Sequence, residues 1–225
     1  MSEIVISTSN LCKTYVSAAL DPVHALKSVE IAIEEGEIVG IMGPSGCGKT
    51  TLLNCLSGLD TIDDGDILIQ GKSLNDLNDD QLSEFRAKKM GFVFQTYNLL
   101  PVLNAVENVE LPLLVSGMSA KAARNKAIEK LDEVDLVKQI HQLPGELSGG
   151  QRQRVTIARA LVNDPAIVWA DEPTGNLDSE NEIEIMNLLT QMNKENNQTF
   201  VIVTHSDYVG GRAIRIINMK DGEVV

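Results

Sequence analysis

Long apolar runs, paired cysteines and positive charge are all scarce in this sequence, and each shortage removes a class of function. No apolar stretch approaches the roughly 18–20 residues that a membrane-spanning helix requires. The opening MSEIVISTSN has neither the basic nor the apolar region of a signal peptide, so direct membrane insertion is not expected. Three cysteines, Cys12, Cys47 and Cys55, form no CxxC pair and leave one thiol over. Free cytosolic thiols are the simplest reading. Lysine and arginine total 19 against 32 aspartates and glutamates, a net charge of −13. Such a surface repels the phosphates of nucleic acid and of anionic lipid, so neither is an expected partner. Internal repeats and low-complexity linkers are absent as well.

What is present fits a globular α/β protein. A chain of 225 residues with 43% hydrophobic content can bury one large α/β core, with or without a smaller lobe. The N-terminal part reads as short strands: VEIAI alternates from Val29 to Ile33, and a turn at Gly36 leads into the buried-strand pattern EIVGIM. DGDILIQG is a further strand, a polar helix is expected around Asp79–Lys89, and MGFVFQ returns to strand. Residues 96–147 read as a helical insertion between the halves of the core. There Asn104 and Glu107 stand near capping-box spacing, and Pro112 should kink the helix that follows. Ser119 should cap a helix whose Ala123, Ala127, Leu131 and Val134 share one face. AIVWADE and TFVIVTH are strands, separated by a helix with Ser179 and Glu182 as its expected capping box, and a hairpin should close the chain around Asp221-Gly222.

The stretch GPSGCGKT, Gly43 to Thr50, matches G-x-x-x-x-G-K-[ST] and stands between an apolar strand and a helix, the context a phosphate-binding loop needs. Gly43, Gly46 and Gly48 let backbone amides converge on phosphates, with Pro44, Ser45, Cys47 and Thr51 completing the loop. Lys49 supplies charge near the β- and γ-phosphates, and the Thr50 hydroxyl can hold Mg²⁺. Asp171 and Glu172 end the apolar run AIVWA, and strand ends are where such sheets bind ligands. Asp171 can reach the metal shell, and Glu172 can orient or deprotonate an attacking water. His205 ends FVIVTH, where contact with the γ-phosphate is favoured over a structural role. Gln95, closing GFVFQ, is either a ligand to Mg²⁺ or water, or a loop residue. Tyr15 either stacks on a base or packs. Cys47, near a helix N-terminus, is either a reactive thiolate or a small residue turned into the fold. His24 and His141 read as surface residues.

A second glycine-rich stretch, LSGGQRQR, begins at Leu147 and opens another helix. It has no cation in the loop and no metal ligand, so it is not expected to hold a nucleotide by itself. Either it caps an ordinary helix, or it completes a site whose nucleotide is held by another molecule. In the second case Ser148 offers a hydroxyl, Gly149 and Gly150 an approachable backbone, and the helix after Gln151 its positive end. Two chains facing head to tail with C₂ symmetry would then form two equal composite sites.

Taken in order, GPSGCGKTT, FQ at Gln95, LSGGQRQR, WADEPTGNLD and VTH resemble the ATP-binding subunits of ABC transporters across essentially the whole chain. The resemblance implies a single ATPase domain, 1–225, of the α/β class. Its P-loop NTPase core, with a mostly parallel sheet and an N-terminal antiparallel β subdomain, would comprise 1–95 and 148–225, with an inserted α-helical subdomain at 96–147. It also implies ATP and Mg²⁺ sandwiched in a homodimer, and hydrolysis that drives a transmembrane permease subunit from the cytoplasmic face. Residue by residue, it implies Lys49, Gln95, Glu172 and His205 as the catalytic set and Thr50, Gln95 and Asp171 around the metal. Tyr15 would stack on adenine, Asp178 would lie at the intersubunit contact, and Gln95 would stand where the site meets the membrane partner.

VFQTYNLLPVLNAVENVELPLL and DEPTGNLDS look most like the lipoprotein-releasing and macrolide-export branch. Two departures are visible. Trp169 stands where the family usually has a smaller apolar residue, and Cys47 where Ser is more usual; neither removes a catalytic group. Soluble ABC-type ATPases of DNA repair, chromosome organisation or translation are the alternative. Those relatives tend to carry coiled coils, zinc-binding cysteines, tandem cassettes or basic surfaces, and this sequence has none. A module that binds ATP without turnover is disfavoured because Glu172 and His205 are both present.

Overall fold

A computed structural model describes residues 3–17 and 20–225. In chain order its elements are β1 (Ile4–Ser17), β2 (Leu20–Val29), β3 (Ala32–Glu34), β4 (Ile38–Met42), α1 (Lys49–Leu56), β5 (Asp64–Ile69), β6 (Lys72–Ser73), α2 (Asp79–Lys89) and β7 (Met90–Phe94). There follow α3 (Ala105–Val115), α4 (Ala120–Asp132), α5 (Gly149–Leu161), β8 (Ile167–Asp171), α6 (Ser179–Asn196), β9 (Thr199–Val203), α7 (Asp207–Gly210), β10 (Arg215–Lys220) and β11 (Glu223–Val224). The chain forms two compact units, Met1–Ser83 with Asn193–Val225, and Glu84–Met192.

In the first unit, β2, β1, β5 and β6 form an antiparallel sheet, with β3 also paired to β1. Ile6, Leu11, Leu26, Ile33, Ile67 and Ile69 supply its buried side chains; Ile67 and Ile69 keep the period-2 alternation of a regular strand, whereas β1 has a register shift between Ser9 and Cys12. The run VEIAI is divided rather than continuous. Val29 ends β2, the chain turns through Glu30 and Ile31, and β3 begins at Ala32. Thr8 makes that break: its amide donates to Ile31 O and its hydroxyl accepts from Ile31 N, at 2.9 and 3.0 Å. The same unit holds a parallel set, with β4 paired to β10 on one side and to β9 on the other. Ile38, Val39 and Ile41, which point to alternate faces of β4, are all buried, and burial on both faces explains the unbroken apolar run. Buried Asn193 donates to Gly36 O at 2.6 Å and to Gln198 O at 2.8 Å, tying together the turns that precede β4 and β9. The closing hairpin has Asp221 and Gly222 at φ 50° and 86°, the pair of positive values a two-residue turn of this hand needs.

In the second unit, β7 and β8 pair in parallel from Met90↔Ile167 to Phe94↔Asp171. Gly91 lets α5 approach the pair; a Cβ there would lie 2.2 Å from Ala160 O. Asn104 and Glu107 form the expected capping box, with both reciprocal bonds at 3.0 and 2.9 Å. Pro112 lies inside α3, which continues to Val115. Ser119 holds the N-cap position of α4, yet its side chain makes no capping bond. The apolar face of Ala123, Ala127, Leu131 and Val134 is fully buried, as its spacing predicts. At α6 the expected Ser179–Glu182 box is replaced. Asp178 accepts from Asn181 N at 2.9 Å, Ser179 is already helical, and Glu182 accepts from the Thr174 hydroxyl at 3.1 Å. Trp169 is fully buried in β8, and its indole N–H has no partner among the described residues.

Candidate active site

The phosphate-loop sequence lies between β4 and α1, as its pattern requires. Gly43, Gly46 and Gly48 have φ of 153°, 78° and 104°. Two of these turns are enforced by neighbours: a Cβ on Gly43 would stand 2.2 Å from Met219 O, and one on Gly48 2.4 Å from Ala25 O. Positive φ at intervals is the geometry in which amides line an anion-binding concavity. Gly48 is the N-cap of α1, so the helix's positive end faces the loop. Lys49 is buried, and its ammonium donates to Gly43 O at 2.8 Å and Pro44 O at 2.9 Å, which holds the charge across the loop. Thr50 is exposed in the first turn, while Pro44, Ser45 and Gly46 form an exposed tip.

Cys47 is buried, its sulfur 4.0 Å from Lys49 Nζ and against Gly43. Of its two readings, the structure supports the small packing residue. His205 is exposed immediately beyond β9. Thr204 N donates to Ile41 O at 3.1 Å, so His205 and the phosphate loop leave the carboxyl ends of adjacent parallel strands. Tyr15 lies near the end of β1 with 43% of its surface exposed, and its hydroxyl donates to Asp60 at 2.6 Å. His24 is exposed and bonded to Thr14 (Thr14 Oγ1···His24 Nδ1, 3.0 Å), and His141 is exposed.

The second unit gathers the acidic pair with Gln95. Asp171 ends β8 directly opposite Phe94, so Gln95, Asp171 and Glu172 leave neighbouring strand ends. The chain then turns sharply: Glu172 has φ 46°, and Gly175 N donates to Glu172 O at 3.0 Å. Gln95 lies against this turn, its O accepting from Asn176 Nδ2 at 2.8 Å. Gly175 leaves room for the glutamine amide, which would lie 2.9 Å from a Cβ there.

LSGGQ opens α5, but the helix starts at Gly149 rather than after Gln151. Exposed Ser148 is its cap and forms a reciprocal box with Gln151, with bonds of 3.2 and 2.9 Å. The first two helical amides, on Gly149 and Gly150, precede the capped one and lie outside the helix's own ladder. Gly150 sits against Asn181, whose Nδ2 donates to Asp178 at 2.9 Å. Asp178 is exposed, and hydrogen bonds from Asn181 hold its carboxyl below the usual range. The second unit thus joins the start of α5 to Asp178 through one asparagine that sequence reasoning passed over. In the same unit, Arg86, Phe92, Phe94, Pro112 and Arg159 line a cavity of ≈ 360 Å³. Burial pushes the Arg159 guanidinium pKa down.

These donors fit the groups the sequence implies. The loop suits a polyphosphate, and Thr50, Gln95 and Asp171 are hard oxygen donors. Among the described residues no three His, Cys, Asp or Glu side chains cluster as a self-sufficient metal site. Mg²⁺ does not need one, because it binds through one or two carboxylates, phosphates and water.

A phosphate loop at the end of a parallel strand, with an Asp-Glu pair ending another strand, defines a P-loop nucleoside triphosphatase. The chain belongs to the ABC transporter family, whose model matches residues 26–175. It is an ATP-binding cassette with ATPase chemistry of the transporter kind, and the soluble alternative is not favoured. Over 224 residues it is 48% identical to the uncharacterized ABC transporter ATP-binding protein MJ0796 of Methanocaldococcus jannaschii, covering 98% of this chain and 95% of that protein. It is also 45% identical to the lipoprotein-releasing system ATP-binding protein LolD of Pseudoalteromonas translucida, covering 100% and 96%. A dimeric structure of MJ0796 in a post-hydrolysis state, bound to ADP and Pi, matches with a TM-score of 0.88 at 47% identity, covering 97% of this chain and 96% of that one. Among the described residues no helix is long and apolar enough to cross a membrane.

Proposed function

We propose that two copies of this chain close head to tail on ATP, and that hydrolysis reopens them to drive a membrane-embedded permease in lipoprotein release or a related export task. The observation that carries the reading is the start of α5. Its exposed Ser148 and glycine amides suit a phosphate, yet the loop holds no cation or metal ligand of its own. Such a half-site makes chemical sense when another chain brings the nucleotide. Two dimeric structures of the relative MJ0796 support it.

In this reading Lys49 and the amides of residues 43–51 hold the β- and γ-phosphates. Thr50, Gln95 and Asp171 hold Mg²⁺, which neutralises phosphate charge when bound. Glu172 accepts the proton of the attacking water, His205 contacts the γ-phosphate, and Tyr15 stacks on adenine. Ser148, Gly149, Gly150 and Gln151 of one copy, with Asp178, meet the nucleotide held by the other. Residues 96–147 serve as the helical subdomain. The cavity beside β7 is where the permease docks, close to Gln95, which links the docking surface to the metal. The chain is then peripheral on the cytoplasmic face, held there through its partner.

Glu172→Gln tests the reading. It removes the proton acceptor and keeps every other group, so ATP still binds while phosphate release falls by about 10²–10⁴-fold. Size-exclusion chromatography with ATP and Mg²⁺ should then show a stable dimer. Near-normal turnover by this variant refutes the role given to Glu172, and a monomer that binds ATP refutes closure on nucleotide.

A further inference from the structure

We propose that Asp60 is a positioning residue for the nucleotide base: anchored by Lys13, it fixes the Tyr15 ring as the platform on which adenine stacks. The inference rests on the reading of Tyr15 as the base-stacking residue.

Tyr15 needs such support. The β1–β2 register is irregular on both sides of it, between Lys13 and Thr14 and again between Tyr15 and Ser17. The ring is 43% exposed. An aromatic platform free to change rotamer must be ordered each time a base lands on it, at a cost in affinity. Here the phenol donates to Asp60 Oδ2 at 2.6 Å, and the other carboxylate oxygen is held in turn. Asp60 Oδ1 accepts from Lys13 Nζ at 3.1 Å and from Thr61 N at 2.7 Å. Lys13 is itself buried, donates to Thr61 Oγ1 at 3.1 Å, and places its ammonium 5.2 Å from the Tyr15 ring centroid. One network therefore grips the ring by its hydroxyl and by its face.

The protonation states support the same geometry. Burial opposes the charge on Lys13, but the bond to and charge of Asp60, with Asp63 and Cys55 adding to them, raise the lysine pKa. Burial works against the Asp60 carboxylate, yet bonds from Tyr15, Lys13 and Thr61 hold its pKa below the usual range. Burial and then the bond to Asp60 push the Tyr15 phenol up, so it remains a donor.

The network also refers the ring to the phosphate loop. Asp60 lies just beyond the end of α1, and its amide donates to Asn54 O of that helix at 3.1 Å. The phenol is thereby tied, through Asp60, to the helix that starts at the phosphate loop. The base platform and the loop that grips the triphosphate are held at a set separation, the kind of pre-organisation that converts contacts into affinity.

The test compares the affinity of the full chain for ATP with its affinity for inorganic tripolyphosphate, which lacks a base, by calorimetry in Mg²⁺. Tyr15→Phe keeps the ring and removes the hydroxyl; it should lower the ratio of the two affinities by about 3- to 10-fold. Asp60→Asn should lower the ratio less, since the amide still accepts the bond, and the double variant should be no worse than Tyr15→Phe. Asp60→Ala would leave Lys13 buried and unpaired and endanger the fold, so Tyr15→Phe tests the bond from its other end. Tyr15→Ala separates the two levels of the argument. If it lowers the ratio while Tyr15→Phe and Asp60→Asn do not, the proposal is overturned and the stacking role stands. If Tyr15→Ala leaves the ratio unchanged, the stacking role fails and the proposal with it. Equal loss of both affinities in Asp60→Asn would mark Asp60 as a structural residue and also overturn the proposal.

Discussion

At the scale of single residues, the three cysteines show how much burial decides chemistry. A position near a helix N-terminus favours a thiolate, and Cys47 has that position. Its side chain nevertheless turns inward, 5% exposed, against Gly43 and Lys49. Cys55 is equally enclosed, and burial, with the charge of Asp60 adding to it, pushes its thiol up to about 12. Cys12 is partly exposed and accepts a hydrogen bond from Ser28 N at 3.2 Å. Limited maleimide treatment of the folded chain should therefore label Cys12 first, with Cys47 and Cys55 reacting only as the protein opens. Peptide mass mapping over a time course checks this; early labelling of Cys47 would mean that the loop opens in the native state.

At the scale of elements, the helix starts divide into those a local pattern identifies and those it misplaces. Asn104 and Glu107 satisfy both bonds of their box, so Asn104→Ala should cost about 1 kcal/mol of stability. Ser119 makes no capping bond, and its alanine variant should cost well under half of that. Urea unfolding of the two variants beside the parent chain measures the difference; equal losses would show that the side-chain bond is not the source. Ser179 was a reasonable cap by spacing, but the turn before it settles the matter. Leu177 N donates to Thr174 O at 3.0 Å, and Glu182 N to Asp178 O at 2.9 Å. The helical ladder thus begins one residue earlier than spacing suggested. VEIAI misleads for a similar reason: alternation describes two adjacent strands as readily as one, and the Thr8 bonds that separate them come from elsewhere in the chain.

At the scale of the whole molecule, the proposed site needs two chains. Ser148 is exposed and caps a helix in the second unit, whereas Lys49 and Tyr15 belong to the first. Ser148→Arg should leave ATP affinity of the isolated chain within about threefold, the loss of a cap being a modest cost. It should abolish dimer formation and hydrolysis by filling the space meant for a partner's γ-phosphate. Mixing it with Lys49→Ala chains leaves at most one complete composite site per heterodimer, which titration of phosphate release against mixing ratio can read. Loss of ATP binding by the isolated Ser148→Arg chain would place that loop in its own nucleotide site and end the two-chain model.

The amino-acid order by itself determined the phosphate loop, the acidic strand end, the second glycine-rich helix start and the family. Each is a contiguous set of residues whose spacing is its geometry: glycines, a lysine and a threonine within Gly43–Thr50 need only a strand before them and a helix after. Tertiary structure decided the rest. Lys13 and Asp60 carry no motif and lie 47 positions apart, and Asn193 and Gly36 lie 157 apart. They meet because the pairing of β1 with β5 returns the chain past the end of α1, and because β4 and β9 run side by side. The inward turn of Cys47 belongs to the same class, since it depends on how the loop packs against Met219 and Ala25. A side chain's neighbours across such distances follow from strand register and helix length, and no local spacing encodes them.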